Sequence, residues 1–232
     1  TFNDRANEYQ LNQAYLIAER LTDTACRDVD LGGRVDLLYG TDHRFTMSNG
    51  LGYELNADGS VERTWNRNQR FYGLSMPQAY ADLAFRDWVF RFGHFYTVAG
   101  YESPMAVENF FYSHSYTFQY GEPFTHTGML AKWKLNDRFS VSAGLQRGWD
   151  QFEDNNDKLG FLGAINWASE DEKTTVALSL VSGDEQDVGS ATRDLVSFVW
   201  TQKLGERWKY VLQSDLGHEQ DVLAGGQDGE WY

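Results

Sequence analysis

The sequence predicts an all-β fold, an antiparallel up-and-down transmembrane β-barrel, from three observations. Many segments alternate apolar residues with polar or small ones at a period of two, as strands do when their two faces meet different surroundings. The best-defined arms run about ten to twelve residues, close to the roughly 9 to 11 that a tilted strand needs to cross a bilayer. From residue 86 onward, short turns alternate with longer connections. This order is typical of hairpins that run up and down a barrel.

The clearest hairpin lies within residues 124–149. In its first arm Met129 and Trp133 belong to the apolar line, whereas Leu130 and Lys132 alternate with them on a line that is otherwise small and polar. A short polar turn follows, and the alternation then resumes. Aromatic residues lie near the ends of both arms, where a membrane-interface girdle would place them. The hairpin therefore predicts one face toward lipid and one toward water.

Other alternating segments extend the same pattern along a single domain that covers residues 1–232. The predicted strands are 9–21, 31–39, 76–85, 88–97, 124–135, 139–149, 159–167, 176–180, 196–200 and 208–216. The stretch after residue 217 is predicted to begin one more strand. We expect these strands, about ten in number, to be part of a larger porin of roughly 16 to 18 strands, with further strands beyond the C-terminal end.

Two connections are too long to be turns, residues 40–75 and residues 97–123. The sequence predicts external loops there, and leaves open whether they fold into the lumen. The first loop contains a basic cluster, Arg63, Arg67 and Arg70, close to acidic residues. One interpretation is an exposed mixed-charge loop. The other is a constriction loop whose arginines face acidic residues across the pore.

Several charged residues fall on the polar line of predicted strands. They are Arg34, Asp36, Asp82, Arg91, Lys132 and Lys134. Charges at such positions would be costly in a dry core but cheap beside water. These six residues are therefore the predicted lining of the channel.

Composition narrows the choice of function. The net charge of −14 argues against a nucleic-acid partner, because phosphates require a basic surface. The 232 residues contain no run of about 18 apolar residues, which a transmembrane helix would need. A 16% aromatic content with 22 glycines and 3 prolines is typical of strands between lipid and water. Cys26 is the only cysteine, so no disulfide framework is predicted.

The sequence gives only weak signals of a catalytic or metal-binding site. The histidine spacings match no zinc pattern, and the acidic runs lack the glycine and spacing of a calcium loop. Ser113 and His114 are neighbours, but neighbours on a strand point to opposite faces and cannot act as a nucleophile and its base. The sequence therefore predicts no enzyme, no metal and no cofactor.

Four long stretches carry a family resemblance. They read GGRVDLLYGTD at 32–42, GHFYTVAGYE at 93–102, NFFYSHSYTFQYGEPFTHTG at 109–128 and RGWDQFEDNNDKLGFLG at 147–163. Together they resemble the OmpL-like β-barrel porin family of bacterial outer membranes. No catalytic motif comes with this resemblance.

The resemblance and the two-sided strands together predict an outer-membrane porin. It would let small hydrophilic solutes or ions diffuse passively, with outer-membrane lipid as its surroundings and a weak preference for cations that follows from the acidic charge. A homo-oligomer is left open. The alternative is a barrel plugged by its own loops that acts as an adhesin or structural scaffold. A soluble sandwich-type binding domain is a third interpretation.

Overall fold

The computed structural model describes residues 2, 5–56, 60–67, 71–186, 191–223 and 226–232. Within these ranges most of the chain is β-strand, as the alternation predicts. The strands are β1 (Ala14–Arg20), β2 (Val29–Gly40), β3 (Ser48–Asn49), β4 (Gly52–Leu55), β5 (Val61–Arg63), β6 (Gly73–Phe85), β7 (Trp88–Tyr96), β8 (Thr125–Lys134), β9 (Phe139–Gln146), β10 (Gly160–Ala168), β11 (Thr174–Asp184), β12 (Thr192–Leu204), β13 (Trp208–Leu223) and β14 (Gln227–Trp231).

Helical structure in the described ranges is short. One helix, α1, spans Tyr116–Gly121, and 3-10 turns span Thr41–Phe45 and Ala106–Glu108. Among the described residues, no helix is long and apolar enough to cross a membrane.

Eleven strands form one sheet in the order β1-β2-β6-β7-β8-β9-β10-β11-β12-β13-β14, with β1 and β14 at its edges. Every neighbouring pair is antiparallel, so the up-and-down arrangement is confirmed. The ten predicted strands correspond to β1, β2 and β6–β13, and the predicted start of another strand is β14. An open sheet of this kind is compatible with part of a larger barrel.

The structure differs from the predicted elements at several places. β13 runs on to Leu223, beyond the predicted end at residue 216, and α1 forms within the predicted loop 97–123. The first long loop, residues 40–75, contains a small second sheet made of β3, β4 and β5. These strands are two to four residues long, too short for a period of two to be recognised in the sequence. The first strand begins at Ala14, not at residue 9. Just before it, the carbonyls of Leu11 and Asn12 still accept bonds from the 3-10 turn that follows β2.

One face of the large sheet, here called the outer face, is apolar and exposed. A continuous row crosses nine strands through paired positions: Leu31, Leu83, Phe90, Ala131, Ala143, Gly163, Leu180, Val196 and Leu216. Leu31 is 64% exposed and Leu216 is 60% exposed. Soluble monomers rarely leave so large an apolar surface uncovered, whereas the lipid-facing band of a membrane barrel requires one.

Aromatic residues border this face beside the short turns. Trp88 of β7 stacks on Trp133 of β8 with ring centroids 4.9 Å apart, and Phe139 of β9 pairs with Trp167 of β10. Trp200 of β12 lies at the same level, paired with β11. These positions agree with the predicted interface girdle.

The opposite face, here called the inner face, carries buried and charged side chains. Its apolar centre is a cluster formed by Phe95, Ala99, Leu130, Leu162, Val181 and Leu195. Ala99 belongs to no strand, because it lies in the connection that follows β7. The inner face is therefore covered in part by a segment of the chain itself.

Candidate functional site

The inner face of β2, β6, β7 and β8 carries a group of paired charges. Arg34 binds Asp36 in a two-point ion pair, with Nε 2.6 Å from Oδ1 and Nη2 2.9 Å from Oδ2. Gln78 of β6 donates to the same carboxylate at 2.9 Å. Asp36 is fully buried, so these donors replace the water that an isolated carboxylate would require.

A second ion pair lies beside the first one. Asp82 and Arg91 face each other across the β6–β7 ladder, and both guanidinium contacts are short, at 2.8 and 2.9 Å. The Arg91 guanidinium also lies 3.5 Å from the centre of the Tyr80 ring. Lys132 of β8 is near enough for the charges of Arg91 and Asp82 to act on its ammonium group. The alternation therefore places Asp82, Arg91 and Lys132 together on the inner face.

Of the six predicted lining residues, Lys134 lies apart from the other five. It continues the line of Lys132 to the end of β8, where its ammonium binds Asp137 of the short turn at 2.8 Å. Its side chain is 60% exposed. Lys134 therefore lies beside the short turn after β8, and its place in the channel lining stays a prediction.

The connection between β7 and β8, residues 97–124, crosses the inner face and is called the inward segment. At one side it binds β12 and β13. The Gly100 N–H donates to Ser197 of β12 at 3.2 Å, and the Tyr101 N–H donates to Gln213 of β13 at 3.0 Å. Near its end, Trp231 of β14 donates to the Gly121 carbonyl at 3.1 Å.

At its other side, the inward segment binds the opposite edge of the sheet. Gln13, just before β1, donates to the Pro104 carbonyl and accepts from the Ala106 N–H, both at 2.9 Å. The Met105 sulfur lies 3.6 Å from the Arg34 guanidinium of β2. The segment therefore bridges the β1–β2 edge and the β12–β14 edge.

These contacts require a strongly curved sheet. In a flat sheet, β2 and β13 would lie eight strand spacings apart, about 38 Å at roughly 4.8 Å each. Tyr101 and Met105 are four residues apart, and four residues span at most about 14 Å. Side-chain reach cannot supply the remaining distance, so the sheet must curl around the inward segment with its inner face concave.

Two carboxyl groups meet where the inward segment touches β13. Thr117 donates to Asp215 at 2.7 Å, and Gln213 donates to both Asp215 and Glu122. Glu122 and Asp215 are 6% and 5% exposed, and each retains one oxygen without a described hydrogen-bond partner. Burial, together with the negative charge of Asp215, raises the pKa of Glu122 to about 8. No pattern in the sequence marks this pair, because its members are far apart in the chain and only one of them lies on a strand.

His114 also has an acidic partner in the inward segment. Its Nδ1 lies 3.1 Å from Glu102, whose two carboxylate oxygens also accept from the Ser115 N–H. Burial alone would raise the pKa of Glu102, but the bonds from His114 and Ser115 outweigh it, and this pKa is lowered. The interpretation that placed Ser113 and His114 on a strand is wrong, because both lie in the loop before α1.

Arg67 of the first long loop is an exposed residue. Arg67 binds Glu62 at 3.2 Å, and both side chains are more than half exposed. Arg63 ends β5, and Arg70 lies outside the described residues. Among the described residues, the inward segment crosses the inner face. The constriction role of the three arginines stays a prediction.

The first long loop instead packs against the ends of β7 and β8. Ser48 of β3 lies 3.2 Å from His94 Nε2 and 3.0 Å from the Thr125 hydroxyl. Asn49 donates to Gln151 at 2.7 Å. The first long loop and the connections after β7 and β9 therefore meet at one end of the sheet. Among the described residues, no group of three or more histidine, cysteine or acidic side chains is arranged to hold a metal ion.

Comparison with known proteins gives one match. The family model described as "Putative beta-barrel porin-2, OmpL-like" matches residues 1–232. Neither the curated proteins nor the solved structures contain a match. The family model covers the whole sequence, and the sheet has the antiparallel order, apolar outer face and charged inner face that a porin wall requires. The chain therefore belongs to the OmpL-like β-barrel porin-2 family.

Proposed function

We propose that this chain forms the wall of an outer-membrane channel through which small hydrophilic solutes and ions diffuse passively. The observation that carries the proposal is the difference between the two faces of one sheet. The outer face presents an apolar row across nine strands, most of it exposed, whereas the inner face holds Arg34, Asp36, Asp82 and Arg91 in ion pairs. Such a wall suits lipid on one side and water on the other.

The inner face also supports a selectivity mechanism. Arg91 and Lys132 place cations on the inner face of β7 and β8, whereas the inward segment and β13 contribute Glu102 and Asp215. Opposite charges on two sides of a narrow passage create a transverse field, which sorts permeating ions. With a net charge of −14, we propose a weak preference for cations.

The test is the reversal potential of the purified protein in planar bilayers under a KCl gradient. We expect a potential of the sign that indicates cation preference. Asp82→Asn should shift it toward anions and Arg91→Gln toward cations, because each change removes one sign of charge from the same ion pair. An anion-selective wild type, or two variants that shift in the same direction, would contradict the proposal.

A second function is favoured by one observation. The inward segment makes bonds to both edges of the sheet and contributes Ala99 to the buried cluster, so it occupies part of the space that solutes would use. A barrel fully plugged in this way would act as an adhesin or structural scaffold. Liposome swelling in sugar solutions separates the two functions, since a plugged barrel gives no swelling above that of empty liposomes.

A further inference from the structure

We propose that Glu122 and Asp215 form a proton-controlled latch that holds the inward segment against the wall and releases it when Glu122 loses its proton. The proposal rests on the proposed channel function and adds its regulation. Glu122 lies near the end of the inward segment and Asp215 belongs to β13, so the pair joins the segment that crosses the inner face to the sheet around it.

The first argument is hydrogen bonding. Around the pair, Thr117 donates to Asp215 at 2.7 Å, and Gln213 donates to both carboxyl groups while its own oxygen accepts the Tyr101 N–H at 3.0 Å. The same few side chains therefore contact the inward segment at its beginning, in α1 and at its end. Weakening this junction would loosen three points of attachment together.

The second argument is that the buried site cannot stabilise two carboxylates at once. Glu122 Oε2 and Asp215 Oδ1 are both buried without a described hydrogen-bond donor. The backbone of Gly100 closes against the Glu122 carboxyl group, so closely that a Cβ there would collide with it. The titratable groups that face Glu122 are Asp215 from β13 and Glu102 from the inward segment, and both are acidic. Two buried carboxyl groups side by side cannot both ionise cheaply, and one shared proton relieves the repulsion.

The third argument is the pH range in which Glu122 loses its proton. Burial and the neighbouring Asp215 carboxylate raise the pKa of Glu122 to about 8. A carboxyl group whose pKa is raised in the folded protein contributes stability at low pH that is lost as the pH rises through the raised value. The latch is therefore closed at neutral pH and opens in mildly alkaline solution.

The experiment compares the wild type with Glu122→Gln, Asp215→Asn and the control Glu206→Gln, which removes a carboxylate from an exposed short turn. Amide hydrogen exchange of residues 97–124 is measured in detergent between pH 6.5 and 9.5, with rates corrected for intrinsic chemistry. In the wild type and the control, protection should fall in one step centred near pH 8. Glu122→Gln should abolish the step. Asp215→Asn should move its midpoint to lower pH, because one of the causes that raise the pKa is gone.

Single-channel conductance over the same pH range gives the second measurement. If the protein conducts, the mean conductance should change in a step at the same midpoint, and Glu122→Gln should lack that step. If it does not conduct at any pH, the channel function fails, but the exchange measurement still decides on the latch. A wild type without an exchange step, or a Glu122→Gln protein that retains it, would overturn the proposal.

Discussion

A lysine scan of one region of the sheet tests whether the outer face contacts lipid. Leu180 lies in β11, paired with Gly163 and Val196, four residues from Val176, which pairs with Trp200 of the aromatic border. At about 3.3 Å per residue and a strand tilt near 40°, this distance corresponds to about 10 Å of depth. The apolar band of a membrane barrel is about 25 Å tall, so Leu180 lies near its middle.

Two further positions complete the comparison. Ile165 lies in β10, two residues from Trp167, which corresponds to about 5 Å of depth. Asn166 is its immediate neighbour, is exposed, and points to the inner face with Leu162 and Ala164. A lysine at these positions therefore samples the middle of the outer face, its border and the inner face.

The expected costs follow from depth. Leu180→Lys should lower the free energy of unfolding by about 2–4 kcal/mol, the range for a lysine at the bilayer midplane, and Ile165→Lys by about 1–2 kcal/mol. Asn166→Lys should change it by less than about 0.5 kcal/mol, because the new ammonium group remains in water. The proteins are folded into lipid vesicles and unfolded with urea, with tryptophan fluorescence as the signal.

The order of the three values decides the outcome. In a soluble sandwich the exposed Leu180 and Ile165 would already face water, and a lysine there would cost as little as at Asn166. Equal costs at the three positions, or a larger cost at Asn166 than at Leu180, would refute the assignment of the outer face to lipid.

Three other predictions concern stability. Leu162 is fully buried in the inner cluster, so Leu162→Ala should cost about 2–5 kcal/mol in urea unfolding, with Leu204→Ala on the exposed end of β12 as a near-neutral control. Gly100 has φ +76°, and a Cβ there would meet Glu122, so Gly100→Ala should destabilise the protein and increase proteolysis within the inward segment; unchanged proteolysis would contradict this tight contact. Burial raises the pKa of Asp150 to about 6 and that of Glu185 to about 7, so both contribute stability below their unfolded pKa that is lost as the pH rises through those values. The melting temperature of the Asp150→Asn/Glu185→Gln double variant should therefore fall less between pH 5 and pH 8 than that of the wild type. An equal fall would contradict the raised pKa values of these two carboxyl groups.

The alternation predicted most of the sheet because its cause is local. Neighbouring side chains of a strand point to opposite faces, so lipid on one side and water on the other impose a period of two that can be recognised in the sequence. Leu180 and Trp133 could be assigned to the outer face in this way, and Arg34, Asp82 and Arg91 to the other face. The short turns showed which strands would be neighbours.

The first long loop and the inward segment could not be predicted in the same way. Neither has a period, because their residues are held by particular partners far away in the chain and not by a repeating environment. β3, β4 and β5 are too short to show alternation. The path of the inward segment depends on contacts such as Tyr101 with Gln213, which form only once the sheet has curled.

By itself, the sequence determined the long strands and their two faces, since both follow from residue types at fixed local spacing, and its longer stretches indicated the family. Only the tertiary structure decided what occupies the inner face: it brought Glu122 to Asp215 and placed Ala99 in one buried cluster with side chains of β7, β8, β10, β11 and β12. The physical reason is that burial and carboxyl repulsion are properties of the space between distant residues, and that space exists only after the chain has folded.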